Sequence, residues 1–328
     1  MGGGIGRRVA VVLLAGALMV GVAGVGAIEA AAPEPGGRVE VEAGPEAAVT
    51  EQGTQRPPLR AGYHQHRVNV DGQMRRWATF VPPGLEDEAP NAIVFALHGV
   101  GGRGADMRNF GFEASAAGRR TVLVYPDAHH GAWNDGRPGA DPIAPGLAAD
   151  DVRFLRLLID EVTARTGAGP RRVAVVGFSA GAIMAGRTGC ELADRVAAIA
   201  VVGGTAGQGF EKACQPALPV AAMAVAGTAD PIVPYGGGRV ADWAGRKRGS
   251  VASVDEFFAF WAARAGCRST QATPPSAPVH QLRGEDCTAG TLVVRHRVHN
   301  GGHDWFRPPV FDTTGAIWDF LSRPFPMS

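Results

Sequence analysis

Charge of one sign is missing from this 328-residue chain: Lys and Arg total 32, Asp and Glu total 31, and the formal net charge is +1. No basic surplus points to nucleic acid and no acidic tail points to a cationic partner. Cysteine is scarce at four residues, and the spacings fit no zinc pattern, so a bound metal is not expected. No cofactor is implied either. None of the cysteines lies near the N-terminal apolar segment, which excludes a lipobox. An internal repeat is also missing, and after residue 60 the composition does not break, so one catalytic domain over 61–328 is the economical expectation. What the chain has in abundance is glycine, 47 residues, with 24 prolines, a loop-rich texture that suits an enzyme better than a helical bundle.

The N-terminus reads as a targeting segment. Arg7-Arg8 supply a positive region, Val9 to Val25 are apolar or glycine, and Val25-Gly26-Ala27 offers small residues for cleavage. Residues 1–27 are therefore expected to be a signal peptide, with an uncleaved anchor as the competing reading. Arg7-Arg8 lacks the flanking pattern of a twin-arginine signal. Residues 28–60, rich in Ala, Pro, Gly and Glu without period, read as a disordered linker. A secreted or periplasmic protein follows, with no stable membrane partner once the leader is removed. Export would place the cysteines in an oxidising compartment. Three connectivities are open, and proximity along the chain favours Cys190 with Cys214 and Cys267 with Cys287.

From Tyr63 short apolar runs alternate with Gly and Pro punctuation. Arg75 to Val81 reads as an early strand. Ile93–Leu97, Thr121–Tyr125, Arg172–Val176, Ala197–Val202, Val220–Ala226 and Leu292–Val298 read as further strands, several apolar on consecutive residues as in strands covered on both faces. Val152, Leu155, Ile159 and Val162 recur at helical spacing, with Asp150 or Asp151 as cap and Gly167 past the end. Ser253–Ala265 and Thr313–Leu321 complete the expected helices. Strands alternating with helices imply a mostly parallel central sheet with helices on both faces.

The chemistry-bearing stretch is Gly177-Phe178-Ser179-Ala180-Gly181, set between a strand and a small-residue helix. That is the context a G-x-S-x-G nucleophile elbow needs, since the sharp turn tolerates only tiny flanking residues. A serine attacks only when a histidine takes its proton and an acid orients that histidine. In the order Ser, acid, His, Asp230 follows the strand ending at Ala226, and His303 follows the strand ending at Val298. Asp230 before a proline is also an ordinary turn residue, and His299 is the second candidate histidine. Oxyanion donors are expected from the Ala180 amide and from the Val100 amide in the loop His98-Gly99-Val100-Gly101-Gly102. The same loop matches a dinucleotide fingerprint, Gly99 to Gly104, with Asp127 after the next strand. A dehydrogenase would need neither the elbow nor its ordered partners, so the nucleotide reading is set aside.

Together these motifs resemble exported esterases of the polyhydroxybutyrate depolymerase and feruloyl esterase type. The matching stretches include Leu97-His98-Gly99, Tyr125-Pro126-Asp127, Trp133-Asn134-Asp135-Gly136-Arg137, Asp150-Asp151-Val152, Gly227 to Tyr235 and Gly301-Gly302-His303-Asp304-Trp305. The resemblance implies an α/β-hydrolase fold without a large cap domain, with Ser179 as nucleophile, Asp230 as orienting acid and His303 as base. The implied partner is an ester, small or polymeric: a hydroxyalkanoate, or a feruloyl or acetyl ester of a polysaccharide. Amide cleavage and a non-catalytic binding role are the alternatives. Trp133 and Trp305, in loops at the C-terminal end of the sheet, are expected either to contact substrate or to anchor those loops. Asp304, where the family often has threonine, faces solvent or raises the His303 pKa. Partial lids are expected over 128–149 and 236–252.

Overall fold

Consecutive apolar residues with no alternation require a sheet covered on both faces, and that is what the chain builds. The computed structural model describes residues 57–86, 88–140, 149–241 and 247–325, all within one unit, Thr54–Ser328. The expected leader, most of the expected linker and part of each expected lid lie outside the described residues.

The strands are β1 (Gly62–Val70), β2 (Gln73–Val81), β3 (Ala92–Leu97), β4 (Thr121–Pro126), β5 (Val173–Phe178), β6 (Val196–Val202), β7 (Ala221–Gly227), β8 (Gly238–Arg239), β9 (Ser250–Val251), β10 (Ser269–Ala272), β11 (Val279–Glu285) and β12 (Val293–Val298). The helices are α1 (Glu113–Ala116), α2 (Asp151–Thr166), α3 (Ala180–Glu191), α4 (Phe210–Ala213), α5 (Val254–Arg264) and α6 (Thr313–Leu321). Ten strands form one sheet in the order β1-β2-β4-β3-β5-β6-β7-β12-β11-β10, while β8 and β9 pair separately. Its centre, from β4 through β3, β5, β6 and β7 to β12, is parallel. Its margins are antiparallel, β1-β2-β4 on one side and β12-β11-β10 on the other.

Ile93, Phe95 and Leu97 of β3 point to one apolar layer with α2, α3 and α5. Val94 and Ala96 point to the other with Phe112 and α6. The pleat thus divides a single apolar run between two cores. Helix ends follow local chemistry: the Asp150 carboxylate accepts the Arg153 amide at the start of α2, and Gly167, with φ 64°, closes it. Ser253 and Glu256 form a capping box on α5. Cystines join Cys190 to Cys214 and Cys267 to Cys287, the pairing that proximity favoured.

One core group ties stability to pH. His296 of β12 is buried, its ring beside Phe311 at 4.8 Å, and burial pushes its pKa down to about 4. Its ordinary value of 6.5 applies in the unfolded chain, so between pH 6.5 and 4 the unfolded state binds the extra proton. Stability is therefore complete above pH 6.5 and declines on acidification through that window, by up to about 3 kcal/mol from this group. His296→Leu should flatten that decline when urea unfolding is compared at pH 7 and pH 4.5; an unchanged slope would remove His296 as its source.

Candidate active site

The β5–α3 turn holds the centre of the site. Ser179 sits at φ 58°, ψ −120°, a region a non-glycine residue occupies only under constraint. The constraint is close approach on both sides. A Cβ on Gly177 would stand 2.0 Å from the Gly181 carbonyl oxygen, and one on Gly181 would stand 2.2 Å from that of Leu97. Only glycine fits at either place, and the serine between them is lifted above the sheet.

The loops after β7 and β12 bring the other two residues to it. His303 Nε2 is 2.9 Å from Ser179 Oγ, and His303 Nδ1 is 2.8 Å from Asp230 Oδ2. With the carboxylate as acceptor, the ring proton belongs on Nδ1, leaving Nε2 to accept from the serine hydroxyl. The other Asp230 oxygen accepts the amides of Ile232 at 2.8 Å and Val233 at 2.9 Å, which fixes the carboxylate plane. Ser179 and Asp230 are buried, while His303 is partly exposed and packs on the Phe178 ring at 5.1 Å. His299, the second candidate, is exposed and bonds through its amide to the Pro278 carbonyl. Asp304 is exposed.

The loop after β3 is built around His98. Its Nε2 accepts the Ala128 amide at 3.0 Å, so its proton sits on Nδ1, 2.7 Å from the Gly99 carbonyl. Burial pushes this imidazole below its ordinary range and keeps it neutral. The Gly101 amide donates to Gly131 and the Gly102 amide to Gly99. Ala180 opens α3, so its amide is among those that no turn of the helix can satisfy. Asp127, the acid of the dinucleotide fingerprint, accepts the Gly104 amide at 2.7 Å, a loop brace within its own loop cluster.

Trp133 and Trp305 correct one alternative given above. They are 1% and 3% exposed and neither lines the cavity over Ser179. The Trp133 indole N–H donates to the His98 carbonyl at 2.8 Å; Trp305 stacks on Phe110 at 4.2 Å and donates to Thr314. Large aromatic surfaces are buried as loop anchors because their area outweighs their single polar atom. Asp151 likewise is no cap: it is buried against Arg75, and the cap is Asp150.

The cavity over Ser179, about 440 Å³, is lined by Val100, Phe178, Ile232, Val233 and Val240 together with Arg137, Arg248 and His303. Arg137 and Ile232-Val233 stand inside the quoted motif stretches, yet spacing alone gave them no role; only the three-dimensional meeting of the loops after β4, β5 and β7 does.

No protein-family model matches the chain. It is 30% identical over 331 residues to "Putative esterase NocK" of Nocardia uniformis subsp. tsuyamanensis, covering 92% of each chain. It is 28% identical over 257 residues to feruloyl esterase B of Piromyces equi, covering 74% of this chain and 44% of that one, so it spans under half of the latter's length. Among solved structures, acetyl xylan esterase from Aspergillus awamori superposes with a TM-score of 0.52 at 13% identity, over 79% of this chain and 99% of the other; that likeness concerns the fold.

Proposed function

This chain belongs to the α/β-hydrolase esterases and is a carboxylic ester hydrolase, and from that premise we propose that it is an extracellular serine esterase working through an acyl-enzyme. The observation that carries the reading is the continuous chain of hydrogen bonds from Ser179 through His303 to Asp230. Ser179 Oγ attacks the ester carbonyl as His303 Nε2 takes its proton, and Asp230 stabilises the imidazolium through Nδ1–H. The developing oxyanion is held by the amides of Val100 and Ala180. His303 then protonates the departing alcohol. A water, deprotonated by the same nitrogen, releases the acid. No step requires a metal or cofactor.

The name of the Piromyces equi relative favours a feruloyl ester; acetyl esters of polysaccharides and hydroxyalkanoate oligomers or polymers remain the other substrate classes. The extracellular assignment rests on the two cystines, which persist in oxidising compartments, and on the leader read at 1–27. Among the described residues no helix is long and apolar enough to cross a membrane.

A fluorophosphonate probe should label the protein stoichiometrically at Ser179, located by peptide mass mapping. A label on another serine would remove Ser179 as nucleophile, and an unlabelled protein would favour the non-catalytic alternative.

A further inference from the structure

An arginine in the cavity wall engages only one edge of its guanidinium, and the reaction just described uses neither edge. The Arg137 side chain is 8% exposed and that of Asp135 is 2% exposed. Arg137 Nε donates to Asp135 Oδ1 at 2.9 Å, Nη2 stands 2.9 Å from Oδ2, and the Arg137 amide also donates to Oδ1. Burial pushes the Asp135 carboxyl up, with Arg137 pulling against it. Those contacts use one edge of the guanidinium. Its third nitrogen, Nη1, has no partner among the described residues, and Arg137 lines the same cavity as Ser179 and His303.

A loop brace needs one edge of the fork; a receptor needs the other. Asp135 holds Arg137 in a single geometry, so a ligand meeting Nη1 does not have to order a flexible side chain. The surroundings select the ligand's charge. Apart from Ser179, His303 and a second guanidinium, Arg248, the other described side chains lining the cavity are apolar, and no carboxylate is among them. In a largely apolar wall, the unused edge of a guanidinium offers N–H donors and no acceptor, which favours an anionic oxygen over a neutral one.

We propose that Arg137 is a specificity-determining residue that binds a carboxylate carried by the ester substrate. The substrate class is then an ester with a free acid group close to the scissile bond: a hydroxy-acid oligomer with a free terminus, or the half-ester of a dicarboxylic acid. The assignment rests on the serine-esterase reading and favours acid-bearing esters over acetyl esters and over the feruloyl ester that the relative's name suggests.

The test uses two substrate pairs that differ only in charge. One is the 3-hydroxybutyrate dimer as free acid and as its terminal amide; the other is monomethyl adipate and methyl adipamate. They place the carboxylate on the alcohol side and on the acyl side of the ester. The unmodified enzyme should favour the acid of at least one pair by about tenfold or more in kcat/KM at pH 7, chiefly through KM, and the preference should shrink in high salt. Arg137→Gln should bring that ratio close to one, and Arg137→Lys should retain part of it. The double variant Asp135→Asn/Arg137→Gln, which leaves no unpaired buried charge, should give the same loss. Because each ratio is read on one preparation, a role confined to bracing the loop would not move it. Ratios near one in the unmodified enzyme, or a preference that survives in both variants, would overturn the assignment. So would turnover of p-nitrophenyl acetate with none of the four test esters cleaved. Loss of all hydrolysis together with absent fluorophosphonate labelling would instead overturn the underlying esterase mechanism.

Discussion

Ser179→Ala is expected to lower kcat/KM on p-nitrophenyl acetate by roughly four to six orders of magnitude while leaving the unfolding midpoint in place. The Oγ makes one hydrogen bond, to His303 Nε2, so its loss removes the nucleophile but little of the fold. The backbone strain at φ 58° is set by the glycines on either side and is shared by alanine. What should survive is catalysis by the rest of the site: the proposed donors, the amides of Val100 and Ala180, would still stabilise an oxyanion, and a water could take the place of the hydroxyl. Adding His303→Ala should therefore cost little more, because a base without its nucleophile has no proton to take. Asp230→Asn should be milder than either, since its amide can still hold the ring, in the wrong tautomer. Turnover by the alanine variant above about one per cent of the parent, with no contaminating hydrolase, would exclude the covalent route.

How much of this site can be read from residues alone depends on how local its causes are. The elbow is legible because Gly177 and Gly181 answer to contacts that the strand–turn–helix path itself creates. Asp230 and His303 are legible because chain order in such sheets constrains where the acid and base fall. The parallel centre of the sheet announces itself through runs such as Val173–Val176. By contrast, β10 is exposed along its whole length and carries no apolar pattern to betray it; its pairing with β11 is a tertiary fact. Trp133 and Trp305 fail as substrate contacts for a related reason. Loop position says that a tryptophan lies near the site, but whether it faces the cavity depends on the neighbours that bury it, His98 and Phe110, far away in sequence. Arg137 shows the converse: an unremarked residue in a motif becomes a candidate receptor once the cavity is seen.

Another contact between residues far apart in sequence carries the largest expected stability effect. Arg75 of β2 and Asp151 at the start of α2 are 2% and 0% exposed and meet at 2.6 Å, 76 residues apart. Asp151 also accepts the Asn134 amide at 2.7 Å, and Arg75 donates to the Asp127 carbonyl and lies over the Phe154 ring. The pair thereby fastens the Trp133–Arg137 loop and the β4 exit to the sheet. Arg75→Met should cost about 3–5 kcal/mol, because it strands a buried carboxylate rather than because the pair is intrinsically strong. Arg75→Met/Asp151→Asn should recover a large part of that cost: the asparagine oxygen still accepts from Asn134, and no charge is left without a partner. Burial already pushes the Asp151 carboxyl up, with Arg75 opposing it. Removing Arg75 raises the folded-state value further above the unfolded one, so the penalty is full at neutral pH and fades as acid protonates the carboxyl in both states. Urea unfolding of the two variants at pH 7 and pH 4 measures both effects. If the single and double variants lose equal stability at pH 7, the stranded charge is not the cause, and the lost packing of the guanidinium on Phe154 becomes the explanation.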